Sequence, residues 1–298
     1  MSFKLSKSKT LNGKHPIARV MGGADDKKYL YLEPFVFTLG HCKPEVLKDL
    51  TDEQKKDLEV SLKTHLEPDD EKLTEIFYSC KEDIKNRNMK IQLKGGGKLD
   101  PLPDPKCVEK VGVFGISGSG KSYYSARFIK NILRMKEYRK APFFIFSNVD
   151  EDEPLDKLQP IRCDNYDVAC NGIPLEDIEN SISLFDDIAT INDRGTRKGI
   201  EALRDDLLET GRHYGARMVC TAHLIQNGWE SRRLLNESTS IVLFPRSNRK
   251  NIINYLKGYE KWTDAEIMRA VNLPSRYFCL VKHKNPQYVI HEKGAYIV

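Results

Sequence analysis

Apolar positions along this chain change their period several times, and each change predicts an element. Val111, Val113 and Phe114 form a short β-prone run. Beyond a glycine-rich stretch, Phe128, Ile129, Ile132 and Leu133 recur at helical spacing. Pro142 to Phe146, Ile182 to Phe185, Met218 to Ala222 and Ile241 to Phe244 are further runs of strand length. Ile200, Leu203, Leu207 and Leu208 mark the inner face of a helix between two of them. Strand alternating with helix from Val111 to Phe244 predicts an α/β chain with a mostly parallel sheet. Thr263-Asp264-Ala265-Glu266 caps a last helix carrying Ile267 and Val271. Tyr277 to Val281, Tyr288 to Ile290 and Ala295 to Val298 then read as closing antiparallel strands.

The pattern before Val108 is weaker. Residues 1 to about 29 look irregular, with loop composition at Gly22-Gly23-Ala24-Asp25-Asp26. Tyr29 to Phe37 is a strand candidate that Pro34 weakens. Thr51-Asp52-Glu53-Gln54 has the capping-box form; Leu58, Leu62 and Leu66 follow it, and Pro68 closes the helix. Leu73, Ile76, Phe77, Cys80 and Ile84 give a second amphipathic helix, so a small hairpin beside the main core is expected. Met89 to Leu93 is a short strand candidate, and Gly95-Gly96-Gly97 with Pro101, Pro103 and Pro105 marks a linker. Two regions follow: 1–105, a small, mainly helical N-terminal region with a basic tail, the hairpin and the linker; and 106–298, the α/β core. Within the core, Asp150 to Glu153 is expected as a solvated acidic loop, and Ile161 and Val168 as flanks of an extended piece. Asn192 to Lys198 and Asn248 to Lys250 are expected as basic loops.

Composition narrows the class without changing this picture. The chain has 298 residues, 40% hydrophobic and 31% charged, enough for one large core and a small appendage of a soluble protein. No apolar run is long enough to span a bilayer, and Met1 to Lys9 lacks the apolar stretch of a secretory signal. That stretch carries spaced lysines and no acids, which suits a solvated tail or a nucleic-acid contact. The seven cysteines are scattered without C-x-x-C or metal-ligand spacing, which points to small core residues and a reducing compartment. A formal net charge of +5 is compatible with a polyanionic partner but does not demonstrate one.

Chemistry enters at Gly115-Ile116-Ser117-Gly118-Ser119-Gly120-Lys121-Ser122, which fits the Walker A phosphate loop G-x-x-x-x-G-K-[ST] in the strand–loop–helix setting that the motif needs. The glycines let backbone amides converge on phosphate oxygens, and the helix N-terminus adds its dipole. These eight residues, with Tyr123 after them, are the candidate ATP-binding set. Lys121 would reach the β- and γ-phosphates, and Ser122 would hold Mg²⁺. The Ile182 to Phe185 run ends in Asp186-Asp187, a Walker B pattern. Asp186 is the second candidate Mg²⁺ ligand, and Asp187 the candidate to orient and deprotonate the attacking water. His223, with Gln226 just beyond, stands at the tip of the next strand, where a polar side chain can sense the γ-phosphate or simply serve as a hydrogen-bonded loop residue.

The P-loop, the Phe185-Asp186-Asp187 strand end and the stretch from Arg212-His213-Tyr214-Gly215 to Thr221-Ala222-His223 resemble the FtsK/HerA branch of P-loop ATPases. Within it they are most similar to the poxvirus-type genome-packaging ATPases of nucleocytoplasmic large DNA viruses. The resemblance covers roughly Val111 to Val298. It implies a RecA-like sheet with another strand between those of Walker A and Walker B. It also implies a ring of subunits, pentameric or hexameric, with ATP between neighbours and double-stranded DNA in the pore. A viral capsid or portal-like vertex is the implied partner, and the host cytoplasm or virion the implied location. Arg212 is the implied arginine donated to a neighbour's ATP, with Arg246 in reserve and the cation of a helix C-terminus as the plainer alternative for Arg212. The basic loops at Arg194, Arg197 and Lys198, or at Arg249 and Lys250, are candidate DNA contacts. Two departures stand out: Asp187 where many relatives have Glu, and His223 where many have Gln. The alternatives are a P-loop kinase phosphorylating a small molecule and a nucleotide-binding assembly protein without turnover.

Overall fold

The structure is a computed structural model. It describes residues 1–33, 39, 42–64, 66–225 and 229–298, with the backbone alone at 82–88, 229 and 230. The expected strand segment at Pro34 to Phe37, the side chain of Ile84, and Gln226 lie outside the described residues.

The N-terminal region opens with strands β1 (Ser2–Ser6), β2 (Ala18–Met21) and β3 (Tyr29–Glu33), followed by helices α1 (Pro44–Leu47), α2 (Asp52–Thr64) and α3 (Glu71–Asn88), then strands β4 (Lys90–Gln92) and β5 (Lys98–Pro101). The capping box forms as expected: the Gln54 amide donates to Thr51 Oγ1 at 3.2 Å, and Gln54 Oε1 accepts from the Thr51 amide at 3.1 Å. Leu58, Leu62, Leu73, Phe77 and Cys80 make the small core of the α2–α3 pair. Leu66 falls beyond the end of α2 and is exposed.

Two expectations are corrected here. The irregular stretch 1–29 holds β1 and β2, and the basic tail is a strand because Phe3 and Leu5 alternate with Lys4 and face inward. The stretch read as a linker contains β5, which pairs with β2 in a sheet ordered β1-β3-β2-β5.

The core continues with β6 (Lys110–Phe114), α4 (Lys121–Ile132), β7 (Phe143–Ser147), α5 (Glu153–Asp156), β8 (Ile161–Arg162), α6 (Asn165–Asn171), β9 (Ile182–Asp186), α7 (Arg194–Thr210), β10 (Arg217–Ala222), α8 (Trp229–Glu237), β11 (Ser240–Leu243), α9 (Arg249–Gly258) and α10 (Asp264–Val271). It closes with β12 (Phe278–Val281), β13 (Tyr288–His291) and β14 (Gly294–Ile297). Ten strands form one sheet in the order β4-β14-β13-β12-β11-β6-β10-β9-β7-β8. From β11 to β8 the pairs are parallel; from β12 to β4 they are antiparallel. β6, β9, β11 and all three closing strands are buried along their full length, as strands covered on both faces should be.

This is the P-loop NTPase fold with β10 inserted between the Walker A strand β6 and the Walker B strand β9, the order that the resemblance implied. Several local readings are corrected. Val168 lies in α6, not in an extended piece, because Asp164 caps the Tyr166 and Asp167 amides. The acidic run ends in α5, capped by Asp152. The two expected basic loops are helix starts: Asp193 caps α7, so Arg194, Arg197 and Lys198 lie in its first turns, and Arg249 and Lys250 open α9.

Helices α6 to α10 cover one face of the sheet. On the other lie α4 and the N-terminal sheet, with Ala18, Val20, Leu30 and Leu99 packing among Tyr124, Phe128, Tyr277 and Ile290. Asp100 of β5 ties that sheet to the P-loop helix: its carboxylate is 2.7 Å from Arg127 Nε, and Asn131 donates to it at 3.3 Å.

Candidate active site

β6 is a buried strand that ends at Phe114, and the chain then enters the glycine loop. Gly115 has to be glycine because a Cβ there would come 2.5 Å from Ser119 Oγ and 3.1 Å from the Phe244 ring. Gly118 and Gly120 have φ of +74° and +107°. Gly120 is the N-cap of α4 with no side-chain cap, so the amides of the first helical turn have no intrahelical partner and face the loop. Ile116 and Tyr123 flank the loop as exposed side chains, and Ser122 is half-buried in the first turn.

Strand register brings the other candidates to the same sheet edge. Thr221 of β10 and Ser147 of β7 both pair with Asp186, and the Gly115 amide donates to Ala222 O at 3.1 Å. Asp186 is buried, and burial raises its carboxyl above the usual carboxylate range. Thr221 Oγ1 donates to Asp186 Oδ1 at 2.7 Å and Ser147 Oγ to Oδ2 at 3.3 Å. Next to it, Asp187 adopts a left-handed backbone, φ 43° and ψ 41°, and its amide donates to Thr221 Oγ1 at 3.0 Å. One threonine thereby holds both members of the acidic pair.

Asp187 is where the site converges. Its Oδ2 lies 3.1 Å from Lys121 Nζ and 2.9 Å from His223 Nε2. Lys121, nearly buried, also donates to Gly115 O at 2.9 Å. Lys121, Asp187 and His223, far apart in the chain, meet at one carboxylate oxygen. Behind them a cavity of about 180 Å³ is lined by Phe185, Ile188, Arg204, Thr221 and Leu234 among others.

Hard oxygen donors suit Mg²⁺, which takes one or two carboxylates and otherwise phosphate and water. The Asp186 carboxylate and the Ser122 hydroxyl are of that kind. Among the described residues no cluster of three or more His, Cys, Asp or Glu forms a denser metal site.

The two arginines fall on opposite edges. Arg212 is exposed in a short 3₁₀ turn (Gly211–Tyr214) that precedes β10, at the edge where the strands begin. It adds to the depression of the Lys110 ammonium, which is due first to burial, and Lys110 is the first residue of β6. Five residues of β6 separate that edge from the P-loop, roughly 17 Å, so Arg212 does not reach its own chain's site. Arg246 is exposed just beyond β11, two residues from the Phe244 ring that packs under the P-loop. Thr221 and Ser147 were not singled out from the sequence. Only the strand register, which sets both hydroxyls opposite Asp186, identifies them.

No protein-family model matches the chain. It is 31% identical over 220 residues to protein V3 of Sputnik virophage, a match spanning 73% of this chain and 88% of V3. Among solved structures, it is similar to the genome packaging NTPase B204 of Sulfolobus turreted icosahedral virus 2 in complex with AMPPCP, at 13% identity over 61% of this chain and 96% of B204, with a TM-score of 0.42. It is also similar to the pCW3 conjugation coupling protein TcpA with ATPγS, at 12% identity over 70% of this chain and 65% of TcpA, with a TM-score of 0.38. Likenesses this distant carry no weight, and the fold rests on the strand order and the loop geometry.

Proposed function

Since the chain belongs to the family of protein V3 of Sputnik virophage and has the fold of a P-loop NTPase, we propose that it is a Mg²⁺-dependent ATPase that drives viral double-stranded DNA into a capsid. One observation carries the ATPase reading: Lys121, Asp187 and His223 converge beside the glycine loop at the N-terminus of α4. The P-loop amides and Lys121 bind the triphosphate. Ser122 and Asp186 hold Mg²⁺, which neutralises charge on the phosphates. Asp187 and His223 stand at the γ-phosphate and act on the attacking water. Lys121 leaves Asp187 for the phosphates when ATP enters, which frees that carboxylate oxygen for its catalytic partner.

Subunits act as a ring, with Arg212 of one reaching the ATP of the next. The position of Arg212 on the far edge from its own P-loop supports this. Cations in the first turns of α7 and α9 meet DNA phosphates. The capsid or a portal-like vertex is the docking partner, in the infected cell's cytoplasm and in the virion.

The test is phosphate release with and without duplex DNA. Lys121→Ala and Asp187→Asn should each lose turnover, with Asp187→Asn still binding ATP, and DNA should raise the wild-type rate. A wild-type protein that binds ATP but releases no phosphate under any of these conditions would leave only a nucleotide-binding protein.

A further inference from the structure

We infer that His223, held by Asp187, is the general base that takes the proton of the attacking water, and that Asp187 is its positioning residue. This rests on the ATPase reading above. His223 Nε2 lies 2.9 Å from Asp187 Oδ2. An ionised carboxylate only accepts hydrogen bonds, so Nε2 carries the hydrogen in that contact. The lone pair of the neutral ring is then on Nδ1.

Nδ1 has no partner among the described residues, and the His223 side chain is 43% exposed against 19% for Asp187. The oxygens of Asp187 are worse placed to receive a proton. Oδ2 is engaged by His223 and stays so once Lys121 turns to the phosphates, and Oδ1 is buried with no partner among the described residues. The shorter arm of aspartate, against that of glutamate, is extended outward by an imidazole. A carboxylate orienting a histidine whose other nitrogen does proton transfer is an arrangement known from acyl transfer. Lys121, which binds the β- and γ-phosphates, touches the same Oδ2, so the ring flanks the reacting phosphate.

In the step, the water oxygen bonds to the γ-phosphorus. The bond from that phosphorus to the β–γ bridging oxygen breaks, and its electron pair leaves on ADP. The water proton passes to Nδ1, the imidazolium is stabilised by Asp187, and the proton leaves to solvent from the exposed side of the ring. Several charges bear on this protonation. Asp187 favours it and Lys121 opposes it. Glu201 and Arg204 of α7, which line the adjoining cavity, act in the same opposed senses, and Ser231 of α8 is uncharged.

Two measurements test the dyad. Nitrogen NMR of the nucleotide-free protein should find the neutral His223 ring as the Nε2–H tautomer, with that preference lost in Asp187→Ala. Single-turnover hydrolysis from about pH 5 to 9 should show an acid limb that depends on His223. His223→Gln should lose that limb and roughly 10²–10⁴-fold in rate while still binding ATP, and adding Asp187→Ala should cost little more. An Nδ1–H tautomer in the wild type overturns the proposal. So does a His223→Gln protein that keeps both rate and limb; that result leaves the ATPase reading standing. A wild type that hydrolyses no ATP at any pH overturns both.

Discussion

Asp187 holds a backbone conformation that costs most residues about 1–2 kcal/mol and that aspartate visits more readily than glutamate. Its amide is fixed there by Thr221. The sequence makes aspartate at this position look like a shortened glutamate, whereas the structure supplies a backbone reason for it. The acidic pair, the lysine and the histidine were legible because their chemistry is tied to residue type and order along the chain. Thr221 and Ser147 were not, since a hydroxyl at a strand tip belongs to no pattern until register brings it to a carboxylate. Another residue, remote from the site, yields a test of stability. His291 is nearly buried on β13, and burial first, then the charge of Arg269, hold its pKa down at about 4. The unfolded chain takes up a proton near the ordinary value of about 6.5, while the fold refuses it until about 4. The stabilisation is therefore complete above the unfolded value and is lost as pH falls through that window, up to about 3 kcal/mol. Urea titrations at neutral and acid pH should show this loss in the wild type and most of it abolished in His291→Asn. An equal loss in both proteins would remove His291 from the account.

At the scale of elements, the legible parts were those with a local chemical marker. Both capping boxes form, at Thr51 and at Thr263, and the closing strands appear where alternation placed them. β1 and β2 were missed because a run of four or five residues with two inward positions is indistinguishable from a loop until a partner strand is known. The first turns of α7 and α9 were read as loops because basic residues mask a helix start. β4 is the strand by which the N-terminal region joins the main sheet, and it depends on one glycine. A Cβ at Gly294 would lie 2.1 Å from Ile91 O, and the Leu93 amide donates to Lys293 O at 2.8 Å just beyond. Gly294→Ala must push β4 off β14. The expected cost is about 1–3 kcal/mol, the range for inserting atoms into a packed site. Hydrogen exchange should accelerate at Leu93 and at neighbouring β4 amides, and the β6 amides should keep their protection. Unchanged exchange at Leu93 would mean that the edge adapts without separating.

For the whole molecule, the order of the sheet decides which residues can share a site. No periodicity in the chain discloses that β10 enters between β6 and β9; the resemblance implied it, and the register bears it out. That insertion sets Asp187, Lys121 and His223 together on one edge and leaves Arg212 on the other. A guanidinium roughly 17 Å away along the strands cannot act on its own chain's phosphates. In a head-to-tail ring, the beginning edge of one sheet can face the P-loop edge of the next. Arg212→Ala and Lys121→Ala proteins should then each be inactive alone, one for want of a donor and the other for want of a phosphate-binding lysine. When the two are mixed in equal amounts, about a quarter of the interfaces join an intact Lys121 to a neighbour's intact Arg212. Hydrolysis should recover in the mixture and peak near equal proportions. Mixed rings that assemble, as checked by native mass, yet stay inactive at every ratio would exclude donation by Arg212. Repeating the series with Arg246→Ala separates the two arginines. Arg246 lies beside its own P-loop, so its loss should weaken nucleotide binding in each subunit and should not be rescued by mixing.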